Sequence, residues 1–142
     1  MYAIESDWPP EIALEVVSPL TYLKTLASAL SQITKGIIEA KVVTTTDKFE
    51  DGHPFSHNLL IFASALGKAE IELLEVLHGT DLIYPCWIYS RASEHGGSLS
   101  GENKLIGSFD ELRKTMREVL RSPETLGRIH SLIARVNDMT SR

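Results

Sequence analysis

Between Ile37 and Thr46 the side chains alternate in character. Ile38, Ala40 and Val42 fall on one parity, Glu39 and Lys41 on the other, and Thr44, Thr45 and Thr46 add three β-branched residues. A period of two is the mark of a strand with one buried side, because successive side chains of an extended chain point to opposite faces. The segment "DKFEDGHP" (47–54) joins Asp-Gly to a proline and predicts a turn. "HNLLIFAS" (57–64) is apolar on both parities, as expected of an interior strand covered on both faces. "LIYPCWIY" (82–89) is aromatic and β-branched, and Pro85, which has no N–H to give to a ladder, predicts an edge strand.

"KAEIELLEVLHG" (68–79) fits two patterns. Ala69, Ile71 and Leu73 alternate with Glu70 and Glu72 as in a strand, whereas Leu66, Leu73, Leu74 and Leu77 also match a helix ending at Gly79. Its place between two strand-like runs at short-loop distance favours the strand.

Helices flank this middle third. Ser18 and Pro19 suit the cap and first position of a helix carrying Leu20, Leu23, Ala27, Leu30 and Ile33, and Gly36 can take the left-handed conformation that stops it. "SFDE" at 108–111 is a capping box, followed by Phe109, Leu112, Met116 and Val119 facing inward. "SPE" at 122–124 opens a last helix lined by Leu126, Ile129, Ile133 and Val136. Residues 1–17 read as a stiff, extended lead-in around Trp8-Pro9-Pro10. Residues 90–107, "SRASEHGGSLSGENKLIG", are polar, rich in Gly and Ser, and read as a mobile loop. The expected fold is a single α+β domain over residues 1–142: an antiparallel meander of three to four strands with one N-terminal helix and two C-terminal helices.

The run "SPLTYLKTLASALSQITKGIIEAKV", with "YP" before a later strand and two closing helices, resembles a group of short bacterial α+β proteins without an assigned function. The resemblance covers most of residues 18–137 and rests on apolar, structural positions. It implies a bacterial source and one α+β domain, and it implies no activity.

The 142 residues carry a net charge of −5. The charge is uneven: residues 1–107 hold 7 Lys/Arg against 14 Asp/Glu, and residues 108–142 hold 7 against 5. An acidic body argues against broad nucleic-acid binding, which needs concentrated positive charge. The start, MYAIESDW, shows no basic segment followed by an apolar run, and no apolar stretch approaches a membrane span, so a cytoplasmic location with no membrane partner is expected. Cys86 is the only cysteine. It excludes an intrachain disulfide, and its apolar neighbours suit a packed thiol better than half of a Cys–His dyad.

No motif names a reaction. "GKAE" lacks the glycine and hydroxyl of a phosphate-binding loop, and no serine occupies a nucleophile elbow. Chemistry has three possible seats. His53 and His57, with Asp51, are residue types that hold a metal ion; however, Gly52 and Pro54 forbid a helix there, and four extended residues separate the rings by roughly 13 Å. The competing expectation is a wet turn in which His57→Ala costs little. His78 with Asp81, or His95 in the loop with Glu94, would carry protons if oriented, which with His53 and His57 makes a small metal-dependent hydrolase an alternative reading.

The second seat is the row Arg113, Arg117 and Arg121, placed on one helix face by four-residue spacing. Lys114, Arg128 and Arg135 extend its basic character. The row suits an acidic protein, phosphates (hence an alternative role beside nucleic acid), or the chain's own Glu70, Glu72 and Glu75. An ordinary solvated helix face competes with all of these. The third seat is the aromatic strand, where Tyr84, Trp87 and Tyr89 are interface-prone types, and three helices leave open whether both sides of the sheet are covered. The favoured expectation is a non-enzymatic interaction or regulatory module with a protein partner, able to form a homodimer, and with no cofactor.

Overall fold

The first helix forms where its caps predict it. In the computed structural model, which describes residues 7–12, 14–46, 55–67, 69–90 and 103–140, α1 spans Pro19–Ile33 and Ser18 Oγ accepts from the amide of Thr21 at 3.1 Å. Lys35 and Gly36 both take positive φ, 53° and 81°, and the Gly36 amide returns to the Ser31 carbonyl at 2.8 Å. That left-handed reversal satisfies carbonyls the helix end would orphan and throws the chain straight into β1, Glu39–Thr45.

The middle third is a sheet. β2 (Phe55–Phe62), β3 (Glu70–His78), β4 (Cys86–Ser90) and β5 (Asn103–Ile106) follow, all antiparallel, in the order β1-β2-β3-β4-β5. The ambiguous segment at 68–78 is therefore extended from Glu70 onward. Two helices close the chain, α2 (Phe109–Leu120) and α3 (Pro123–Thr140). The class is α+β with one N-terminal and two C-terminal helices, as expected. Among the described residues no helix is long and apolar enough to cross a membrane.

Three expectations need correction. The meander has five strands rather than three to four, because residues 103–106, assigned to the loop, pair with β4 from Cys86↔Ile106 to Tyr89↔Asn103. Four residues are too few to display a period, so nothing in "NKLI" announces it. Residues 91–102 of that expected loop lie outside the described residues. Secondly, β4 is not an edge strand: Pro85 stops one residue short of the ladder, so its missing N–H never meets a neighbour. Thirdly, β2 is interior in the strand order, but the described helices pack on one of its faces, and on the other Ser56 is buried while Asn58, Leu60 and Phe62 are half-buried.

Alternation explains that coverage. Leu59 and Ile61 in β2, Val76 in β3, Cys86 and Ile88 in β4, and Ile106 in β5 point to one side and are buried against Leu23 and Ala27 of α1, Leu112 and Met116 of α2, and Leu132 and Val136 of α3. Burying each such Leu or Ile contributes about 1.5–3 kcal/mol. A small cavity of about 210 Å³ remains among α1, the sheet and the other two helices, lined by Leu26, Ala29, Leu30, Ala40, Leu73 and Ile129 among others. On the other face, residues of the opposite parity are mostly half-buried or exposed.

One irregularity sets which residues those are. Leu59 pairs with Leu74, but Leu60 pairs with Glu72, so Leu73 has no partner. This β-bulge lets Leu73 and Leu74 both turn inward, each at most 1% exposed. It also brings Glu75 back to the face that carries Glu70 and Glu72. Beside the bulge, Arg128 of α3 donates to the Glu72 carbonyl at 3.5 Å, a long contact at the point where the ladder opens.

Candidate functional site

His57 lies in β2 opposite Val76, and His78 ends β3 opposite Phe55, so the two imidazoles sit diagonally on the helix-covered face. Their Nε2 atoms are 2.8 Å apart. His57 Nδ1 is 2.8 Å from Thr44 Oγ1 in β1, and His78 Nδ1 is 2.8 Å from the Gly79 carbonyl. Phe55 stacks on the His78 ring at a centroid distance of 5.1 Å.

Only one neutral arrangement satisfies this chain. A carbonyl can only accept, so His78 Nδ1 carries the proton and its Nε2 accepts. His57 Nε2 must then donate, which leaves His57 Nδ1 to accept from the Thr44 hydroxyl. Charging His57 reverses one link, its Nδ1 then donating to the Thr44 hydroxyl, and places a cation in the interior. Burial, with the His78 ring and the Lys24 ammonium adding to it, pulls His57 down to about 4.

The arrangement differs from the sequence expectation. His57 is not wet: it is 2% exposed, and its partner is His78, 21 residues on and 9% exposed. His53 and Asp51 lie outside the described residues, and among the described residues no three His, Cys, Asp or Glu groups gather where they could hold a metal ion. Asp81 makes no ion pair among the described residues. His95 and Glu94 also lie outside the described residues. Cys86 is fully buried, and burial pushes its thiol up to about 12, so it packs as an apolar side chain.

The expected partner-binding residues divide among three places. Tyr84 is half-buried against the core: its hydroxyl donates to the Val17 carbonyl at 3.1 Å, fastening the lead-in, and burial raises it to about 12. Arg113, Arg117 and Arg121 are exposed on α2, in the helical layer, and the first two act on Tyr22 of α1. Trp87 and Tyr89 stand on the opposite, open face of the sheet, across from Leu77 and Glu75 respectively.

That open face is ordered in rows. Thr45, Ser56, Leu77, Trp87 and Leu105 form one continuous line across all five strands. Val43, Asn58, Glu75 and Tyr89 form the next, and Lys41, Leu60 and Glu72, then Glu39, Phe62 and Glu70, complete the surface. One end is therefore apolar and aromatic, the other acidic. Its carboxylates are held in place: Ser56 Oγ donates to Glu75 at 2.5 Å, Asn58 Nδ2 donates to Glu72, Ser64 Oγ donates to Glu39, and Lys41 pairs with Glu70.

Sequence reasoning named Glu70, Glu72 and Glu75 as acidic positions and Trp87 and Tyr89 as aromatic ones, but not their meeting on one face. The Leu73-Leu74 doublet was the available signal, since it marks the phase slip that reunites the glutamates. Compared with protein-family models, with curated proteins and with solved structures, the chain matches none.

Proposed function

We propose that this protein is a non-enzymatic interaction module that binds a protein partner through the open face of its sheet. The observation that carries the reading is the one-sided cover. The described helices pack on one face, while the other presents Leu60, Phe62, Leu77, Trp87, Tyr89 and Leu105 beside pre-positioned carboxylates. Aromatic side chains on rigid strands give large contact area at small entropic cost, which is what interfaces select. A hydrolase built on His57 and His78 has less support, because both rings are engaged within the core and a substrate has no way to meet them.

The test uses Leu105→Arg and Trp87→Arg, which place a charge in the apolar row without touching the helix-covered core. With melting temperatures close to that of the wild type, each variant recovers a specific partner from the source cells at a level at least about tenfold lower than the wild type. Equal recovery by all three proteins removes the reading.

A further inference from the structure

We infer that the His57–His78 pair is a site for one closed-shell monovalent metal ion of the Cu(I) or Ag(I) type, held in line between the two Nε2 atoms in place of the proton they share. The pair has the form such an ion requires. Its Nε2 atoms are 2.8 Å apart and its ring centroids 4.9 Å apart, nearly as far as two rings in that contact can stand. The two nitrogens therefore point at each other almost head-on, and a lone pair from each lies close to one line.

The outer nitrogens are equally suited. A ring that binds metal through Nε2 keeps its proton on Nδ1, and that N–H needs an acceptor. His78 Nδ1 already donates to the Gly79 carbonyl at 2.8 Å, which leaves its Nε2 lone pair facing His57. His57 Nδ1 faces the Thr44 hydroxyl at 2.8 Å, and a hydroxyl accepts as well as donates. Entry of the ion moves one proton, from His57 Nε2 to His57 Nδ1, and turns the Thr44 hydroxyl from donor to acceptor. Both rings stay neutral, no proton is released, and the pair gains a single positive charge. Metal–nitrogen bonds of roughly 2 Å each open the Nε2 separation to about 4 Å. His78, the last residue of β3, is placed to supply that movement.

Charge and ligand number select the class of ion. Two neutral nitrogens bring no countercharge, and Lys24 acts on His57 as well, so a divalent ion would carry two uncompensated charges into the interior. Zinc takes four ligands and Cu(II) or Ni(II) four near one plane, whereas among the described residues no third His, Cys, Asp or Glu joins the pair. Linear binding by two nitrogens is the habit of monovalent ions with a filled d shell. Access needs no cleft. Thr44 is exposed on the edge strand β1, and His78 is 9% exposed where β3 ends, so a small ion reaches the nitrogens through a side-chain displacement that admits no organic substrate.

Titration of the full chain with Ag(I), and with Cu(I) in the absence of oxygen, tests this. The wild type takes up one equivalent of either ion. Long-range proton–nitrogen spectra of its imidazoles show one ring pass from Nε2–H to Nδ1–H, with no protons released to the buffer. Cys86→Ala, which removes the buried thiol, keeps that equivalent. His57→Asn and His78→Asn each bind at least about a hundredfold more weakly, and Thr44→Val, which takes away the acceptor of Nδ1–H, about tenfold more weakly. Should a histidine variant fail to melt cooperatively, the tautomer change in the wild type decides. Absence of binding, uptake that follows Cys86 instead of the histidines, uptake that leaves the tautomers unchanged, or equally tight uptake of Zn(II) overturns the inference.

Discussion

His57 Nε2 and His78 Nε2 meet at 2.8 Å in the interior, joining β2 to β3 through side chains as well as backbone. The pair belongs to the stability of the core. His57→Ala removes the partner of Thr44 Oγ1 and of His78 Nε2 and opens a void, and is expected to cost about 2–4 kcal/mol. Ile61→Ala, at a fully buried position four residues on, is expected to cost about 2–5 kcal/mol. Urea unfolding at pH 7.5 measures both, and a loss below about 0.5 kcal/mol for His57→Ala would show the relay to be idle.

Acid should weaken the fold through the same ring. His57 ionises near 4 when folded and near 6.5 when unfolded, so between those values the unfolded chain binds more protons and stability rises with pH. The contribution is complete above about pH 6.5, falls as pH drops from 6.5 to 4, and is flat below. The full swing is on the order of 3 kcal/mol. Unfolding midpoints from pH 7.5 to 4.5 should fall for the wild type and fall less for His57→Asn.

Helix caps offer an independent check on local structure. Ser108 Oγ accepts from the Glu111 amide at 3.2 Å, and Glu111 Oε2 accepts from the Gly107 amide at 3.0 Å, one residue before the position a standard box would use. Ser108→Ala should cost about 1 kcal/mol and Glu111→Ala less, read as shifts in the urea midpoint at constant slope.

The cavity of about 210 Å³ is an opportunity for added stability. Ala29 lines it from α1, and Ala29→Leu places apolar volume there while keeping a strong helix former. A gain of about 1 kcal/mol is expected, seen as a higher melting temperature. A lower one would mean that the space is too shallow for a leucine.

Much of this fold was legible because its signals are local. Ser18-Pro19, Gly36 and the box at Ser108 set the helix ends, and the parity of Ile38, Ala40 and Val42 set β1. What escaped depends on pairing over distance. β5 is too short to carry a pattern, and β4 is interior only because β5 exists. His57 finds His78 through the register of two strands, which no spacing between His53 and His57 could reveal. The uncertainty over residues 68–78 had a physical source as well: two adjacent leucines break a period of two and imitate a helix, and those leucines are the bulge.

That surplus residue bears on which length changes the chain can survive. Removing Leu73 leaves Glu70, Ile71, Glu72, Leu74, Glu75, Val76, Leu77 and His78 in unbroken alternation, so every remaining side chain keeps its side of the sheet. Removing Val76 instead turns Leu77 inward and His78 outward. The shortened chain lacking Leu73 should still unfold cooperatively on heating, though at a lower temperature, whereas the one lacking Val76 should not fold. A single deletion is thus tolerable at one point in β3 and ruinous three residues later, although both remove a buried apolar residue.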